Sequence, residues 1–179
     1  MTLSMRIAPH LPYLRRFSRA ATGSQTSGDA YVAATLEALI ADVSIFPEAS
    51  NDRIALYKLF SKLFSSSAVN IPSPQPHFVW EQRAARNLSN LAPKQRQAFL
   101  LVSVEGFTHE QAAEILDVSK DEFDGLLNDA SREISRQVAT EIMIIEDEPL
   151  IAMDIEQMVE SLGHKVVGIA RTHKEAVAL

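Results

Sequence analysis

The chain has 179 residues and a formal net charge of −6, the wrong sign for a protein whose affinity rests on contacting a polyanion. It contains no cysteine, which excludes disulfides, thiolate chemistry and cysteine-ligated metals. No apolar run reaches the ~18 residues of a membrane span and no signal-peptide core opens the chain, so a cytoplasmic protein without a membrane partner is expected.

Residues 1–64 read as a bundle of three helices. In the first, Tyr13, Leu14, Phe17, Ala20 and Ala21 fall on one face and Arg15, Arg16 and Arg19 on the other, before Thr22-Gly23-Ser24 closes it. Ser27 is positioned to cap the second, whose stripe is Val32, Leu36, Leu39, Ile40 and Val43, with Pro47 as the stop. Asn51 opens the third, with Ile54, Leu56, Leu59, Phe60, Leu63 and Phe64 inward. Residues 65–77 follow, rich in serine and proline, as an interdomain linker or as a surface loop within one domain.

A second helical unit is expected over 78–138. It begins around Phe78 and Trp80; Pro93 suits the first position of its next helix, and Gly106 the end of that helix. Thr108 stands three residues before Gln111, and Ser119 three before Glu122, so each pair predicts a helix N-terminus closed by a reciprocal capping box. Ala112, Ala113, Ile115 and Leu116 make a short helix, Asp117-Val118 a turn, and Phe123, Leu126, Leu127, Ala130 and Ile134 the stripe of a second helix. That is a helix-turn-helix pattern. A DNA-reading second helix normally carries Arg and Lys toward the phosphates; this one carries Asp121, Glu122, Asp124, Asp129 and Glu133 against Lys120, Arg132 and Arg136. Gly125, inside it, costs roughly 1 kcal/mol against alanine and marks either a close backbone approach or simple tolerance.

At residue 141 the period changes. Ile142–Ile145 is a continuous apolar run, as in a parallel strand buried on both faces. A helix with Ile151, Ile155, Met158, Val159 and Leu162 inward follows and stops at Gly163; Lys165–Ile169 reads as a second strand and Lys174–Val177 as the start of a further helix. Residues 141–179 therefore read as the opening of a doubly wound α/β domain, and are expected to be the first part of a truncated one. Glu146 and Asp147 stand at the C-terminal end of the first strand, where the ligand crevice of such sheets lies. They suit Mg²⁺ coordination, or equally an acidic turn before a helix.

Ile144-Ile145-Glu146-Asp147-Glu148-Pro149-Leu150-Ile151 resembles the start of a response-regulator receiver domain. The resemblance implies that Glu146 and Asp147 hold Mg²⁺, with Glu146 departing from the commoner Asp, and that the phosphorylated aspartate lies on a third strand beyond this chain. Leu91–Leu101, Glu105–Thr108 and Ala112–Leu116 are similar to region 4 of extracytoplasmic-function sigma factors, with Asp124, Leu126, Asp129 and Ser131 where that family typically shows basic residues. His10–Arg16 and Gly28–Val32 are similar to a shortened sigma region 2. Sigma-like helical domains followed by a receiver are the arrangement of the PhyR family of bacterial general-stress response regulators.

Resemblance to that family implies a protein that is not an enzyme. Its receiver, phosphorylated by a sensor histidine kinase, releases a sigma-like domain to sequester the anti-sigma factor NepR and free the true sigma factor. Candidate partner-binding residues are Asp124 and Leu126 on the last helix of the helix-turn-helix and Phe60, Leu63 and Phe64 on the third helix of the bundle. The competing reading is a DNA-binding sigma factor or transcriptional regulator, with Arg15, Arg16, Arg19, Arg83 and Arg86 on phosphates. The acids of the reading helix oppose it, and DNA is not an expected partner.

Overall fold

Local capping explains where most helices of this computed structural model begin; it describes residues 2–66 and 86–179. The chain divides into two compact units, residues 1–131 and 132–179. The first is helical: α1 (Leu3–Ile7), α2 (Leu11–Thr22), α3 (Gln25–Ala41), α4 (Asp52–Ser66), α5 (Pro93–Ser103), α6 (His109–Leu116) and α7 (Lys120–Val138), the last running across the boundary. The second is a β-α-β-α unit: β1 (Glu141–Ile145), α8 (Pro149–Ser161), β2 (Lys165–Ala170) and α9 (His173–Ala178).

Helix α2 ends where Gly23 takes φ +67°, a left-handed conformation that only glycine adopts freely. Helix α3 is capped by Ser24, whose Oγ accepts the Ser27 N–H at 3.1 Å, so the cap lies three residues before the expected Ser27, which is itself buried. A close approach follows. A Cβ on Gly28 would stand 2.6 Å from the Arg19 backbone nitrogen, and Ser18 Oγ donates to the Gly28 carbonyl at 2.8 Å, so α2 and α3 are in contact backbone to backbone. Ile40 and Val43, expected in the buried stripe, are exposed, because α3 ends at Ala41 and leaves the core there. Asn51 Oδ1 accepts the Ile54 N–H and caps α4 as expected.

The two helical regions share a single core running from Ile7 through Leu14, Phe17, Tyr57 and Phe60 to Leu101, Phe107, Ile115 and Phe123. Edge-to-face and tilted rings carry it from α3 to the loop before α6: Tyr31 to Phe64 at 4.9 Å, Phe17 to Phe60 at 5.7 Å, Phe17 to Tyr57 at 5.3 Å, and Tyr57 to Phe107 at 5.0 Å. Ser65 and Ser66 complete α4; the rest of the expected linker, and the start of the helix expected around Phe78 and Trp80, lie outside the described residues, and residues 86–89, at the expected end of that helix, are helical.

The helix-turn-helix forms, with the reciprocal capping box complete at Thr108 and only its Ser119 half present at the second helix, where the Glu122 carboxylate goes to Lys94 instead. Thr108 Oγ1 accepts the Gln111 N–H and Gln111 Oε1 accepts the Thr108 N–H; Asp117 makes the left-handed turn at φ +55°; Ser119 Oγ accepts the Glu122 N–H. A Cβ at Gly125 would meet nothing within 4 Å, so this glycine serves no close approach and is merely tolerated.

In the second unit β1 and β2 pair in parallel, Glu141 with Lys165 through Ile145 with Ala170, with a bulge that leaves Val167 unpaired. Burial is thinner than the apolar runs suggest. Ile144 is buried while Ile145 is 60% exposed, and Ala152 is the buried residue of α8, where Met158 is exposed, as is Leu162 just after it. Two strands give that helix too little sheet to cover its apolar face.

Candidate partner-binding surface

Lys120 and Arg136 on the second helix of the helix-turn-helix are engaged by acids of that same helix. Lys120 Nζ lies 2.7 Å from Asp124 Oδ2, and His109 Nδ1 lies 2.7 Å from Asp124 Oδ1. Lys94 reaches Glu122 at 3.2 Å, and Arg136 bonds Glu133. Lys120 first and His109 second hold the Asp124 carboxyl below its usual range. The start of α7, which a DNA reader would push into a groove, thus shows carboxylates whose neighbouring cations are already paired.

Of the other cations proposed for phosphate contact, Arg15, Arg16 and Arg19 are also occupied. Arg15 and Arg19 each bind Asp29 through two nitrogens, at 2.7–3.2 Å, and drive its carboxyl far below the ordinary range, Arg19 contributing most. Arg16 bonds Glu105. Arg83 lies outside the described residues, and Arg86 is exposed.

Beside the helix-turn-helix runs a groove of about 900 Å³ between α4 and α6. Leu59, Leu63, Ile115 and Leu116 give it apolar walls, and Lys58, Lys62, Lys94 and Asp117 stand around it. Ser61 also lines it, and its buried Oγ has no hydrogen-bond partner among the described residues. The five candidate partner residues separate here. Leu63 and Phe64 are half-buried at the surface, and Leu63 lines the groove. Phe60 is fully buried, stacked on Phe64 at 5.8 Å and packed against Phe17, so a direct contact is corrected to a support beneath Phe64. Leu126 is half-buried against the core and Asp124 half-buried in its ion pairs.

Sequence reasoning missed one centre. Glu105, in the loop between α5 and α6, has a side chain with no exposure and accepts from Arg16 Nε at 3.0 Å and Tyr57 Oη at 2.8 Å, with Arg53 Nη2 at 3.5 Å. Its partners are 48 to 89 residues away in sequence, and no local signal links them.

Glu146 and Asp147 sit together at the C-terminal end of β1. Asp147 is exposed; Glu146 is half-buried, and its Oε1 accepts the Glu148 N–H at 3.1 Å. Two carboxylates with room for water fit the few protein ligands that Mg²⁺ takes, although among the described residues no cluster of three His, Asp or Glu side chains is assembled. No helix among the described residues is long and apolar enough to cross a membrane.

Two family models match the chain: the Sigma2 domain of PhyR over residues 7–61, and the sigma-like domain of the response regulator PhyR over residues 88–137. These spans contain α2–α4 and α5–α7, except the last residues of α4 and the final residue of α7. The phyllosphere-induced regulator PhyR of Methylorubrum extorquens is 47% identical over 179 residues; the chain spans 66% of that relative's length. A crystal structure of the anti-anti-sigma factor PhyR complexed with the anti-sigma factor NepR, from Bartonella quintana, is 62% identical, with TM-score 0.84 over 99% of this chain and 67% of that one. The response regulator PhyR from Brucella abortus is 65% identical, with TM-score 0.61 over 99% of this chain and 63% of that one.

Proposed function

The chain belongs to the PhyR family of response regulators, and from that premise we propose that its helical unit is a sigma-factor mimic that sequesters an anti-sigma factor of the NepR type. The observation that carries this is the paired acid face of α7 beside an apolar groove: a sigma-like scaffold with its DNA-facing cations neutralised and an apolar surface still open. An amphipathic helix is the partner such a groove suits, its apolar side on the half-buried Leu63, with Leu59, Ile115 and Leu116 as the packed backing of the walls. Leu63 and Phe64 form the bundle's share of the contact; Asp124 and Leu126 form the share of α7. The B. quintana relative, solved with its anti-sigma factor, supports the assignment.

In the whole protein the receiver masks this surface until it is phosphorylated by a sensor histidine kinase, and the protein acts as a cytoplasmic regulator, not an enzyme. Masking is a two-state balance, so phosphorylation needs to shift it by only a few kcal/mol. Glu146 and Asp147 would hold Mg²⁺, which when bound supplies positive charge to an incoming phosphoryl group. Their own part is to place two carboxylates at the crevice edge of β1.

Calorimetric titration of purified NepR into the chain tests the reading, with an electrophoretic shift of promoter DNA in parallel. Saturable binding of NepR and no DNA shift at physiological salt is the expected pair. Tight DNA binding with steep salt dependence would replace the mimic with a true DNA reader.

A further inference from the structure

The centre at Glu105 plays no part in groove contacts, yet it is the best-buried charge among the described residues of the helical unit. Its carboxylate meets two arginines and a tyrosine from the first three-helix region: Arg16 on α2, and Arg53 and Tyr57 on α4. Arg53 Nη2 also donates to the Glu105 carbonyl at 2.7 Å, and Arg16 Nη2 to the Val104 carbonyl at 3.2 Å. The Arg53 guanidinium lies 4.0 Å from the centroid of the Phe107 ring, whose edge packs on Tyr57. Burial and the Glu105 charge together push the Tyr57 hydroxyl far above its ordinary value, so it stays a donor. All four residues 104–107 belong to the loop that enters the helix-turn-helix.

We infer that this centre is a latch: Glu105 is a positioning residue that locks the helix-turn-helix onto the bundle and so assembles the binding groove before any partner arrives. The geometry of α4 makes the link. Its residues 53 and 57 hold the loop, while 58, 59, 62 and 63, on the next turns, form one wall of the groove; α6, just after the loop, supplies Ile115 and Leu116 for the other. Weaker bonds at the surface follow the same seam, Lys58 to Asp117 at 2.8 Å and Ser50 Oγ to Glu114 at 2.6 Å. Those are solvated and contribute little. The buried carboxylate is different, because removing its charge leaves two guanidiniums without their common partner and favours no alternative arrangement. Preassembly lowers the entropy a partner must overcome.

The inference rests on the proposed NepR binding for its functional consequence, but the latch itself is measurable without a partner. Because the chain has no cysteine, spin labels go only where cysteines are introduced, at the exposed positions Glu37 on α3 and Asn128 on α7. In the native chain one narrow distance is expected; in E105Q the distribution broadens. If the assembled state falls to about a tenth of the population, NepR affinity drops about ten-fold. R16Q, which removes one cation of the set, should give about a three-fold loss by the same relation. Cross-linking cysteines placed at Ser50 and Glu114 should restore the affinity of E105Q, which a general loss of stability would not allow. Should E105Q lose its helical circular dichroism, R16Q and R53Q carry the same test. A narrow distance retained in E105Q overturns the latch. Broadening with undiminished NepR affinity overturns preassembly. If the native chain fails to bind NepR, the functional reading falls, while the distances still judge the latch.

Discussion

In the helical unit Leu14, Phe17, Ile54, Leu56, Tyr57, Phe60 and Phe123 are all fully buried, whereas in the α/β unit the buried apolar residues are Ile144, Ala152 and Ala170. Leu150, Met153, Met158 and Val177 remain exposed there. Both regions are rich in apolar side chains, and their difference lies in what each can pack against. Helices α2 to α6 surround a common centre, so most of each apolar stripe finds a neighbour, the end of the α3 stripe at Ile40 excepted. A two-stranded sheet covers only part of the helix beside it. Similar apolar content is thus closed into a core among the helices and only partly covered beside the two strands of this chain.

Core truncation tests that contrast hardest. F17A should cost about 3–5 kcal/mol, since an aromatic ring touching Tyr57 and Phe60 leaves a cavity that helices cannot close. I144A in β1 should cost less, near 2 kcal/mol, the lower end for such a truncation. Urea unfolding followed separately by tyrosine fluorescence, for the helical unit, and by amide exchange of β1 measures both. Equal losses would mean that the α/β unit is as tightly packed as the bundle.

Glycines sharpen the same comparison. G28A drives a Cβ into the Arg19 backbone and should destabilise by about 1–3 kcal/mol through displacement of α2 from α3. G168A meets only the flexible Leu179 side chain, at 3.2 Å, and should change stability by about 0.5 kcal/mol. Thermal midpoints of the two variants should separate clearly, and a reversal of their order would contradict the close approach of α2 and α3.

Acid separates the regions by charge. Asp29 is held far below the ordinary carboxylate range by Arg19 and Arg15. A carboxyl lowered on folding contributes stability that is complete above its unfolded value, near ~3.9, and is lost as pH falls through its lowered folded value. D29N should thus be less stable than the native chain at pH 7, and the gap should narrow below about pH 4. Urea midpoints at pH 7 and pH 3 read this, and a gap independent of pH would show that the arginines hold Asp29 for shape alone. Opposite in sign is Gly125, where G125A has open space around it and should stabilise α7 by up to about 1 kcal/mol, read as a higher thermal midpoint.

Much of this was legible in order of residues. The Thr108 and Ser119 caps, Pro93 at a helix start, the stops at Gly23, Gly106 and Gly163, and the shift to a β-α-β pattern at residue 141 are local events, each set by a few neighbouring residues. The acid face of α7 was likewise visible, because charge is carried by residues wherever they lie. Less legible were degrees of burial. Phe60 looked available and is sealed under Phe64; Ile40 looked buried and is exposed, since the stripe of α3 outlasts the core it faces. Ser24 displaced Ser27 as a cap because Gly28 must sit inside the helix, against Arg19.

Sequence alone determined the helix starts, the helix-turn-helix, the opening of an α/β unit and the absence of a cationic reading face, because caps, periodicity and charge act over one or two turns. Only the tertiary structure decided that α2–α4 and α5–α7 share one core, that Arg15, Arg16 and Arg19 are bound to acids, and that Glu105 joins loop to bundle. Those outcomes depend on which residues meet across 10 to 89 positions of chain. Such meetings are set by the packing of whole helices, for which no short stretch of residues carries a signal.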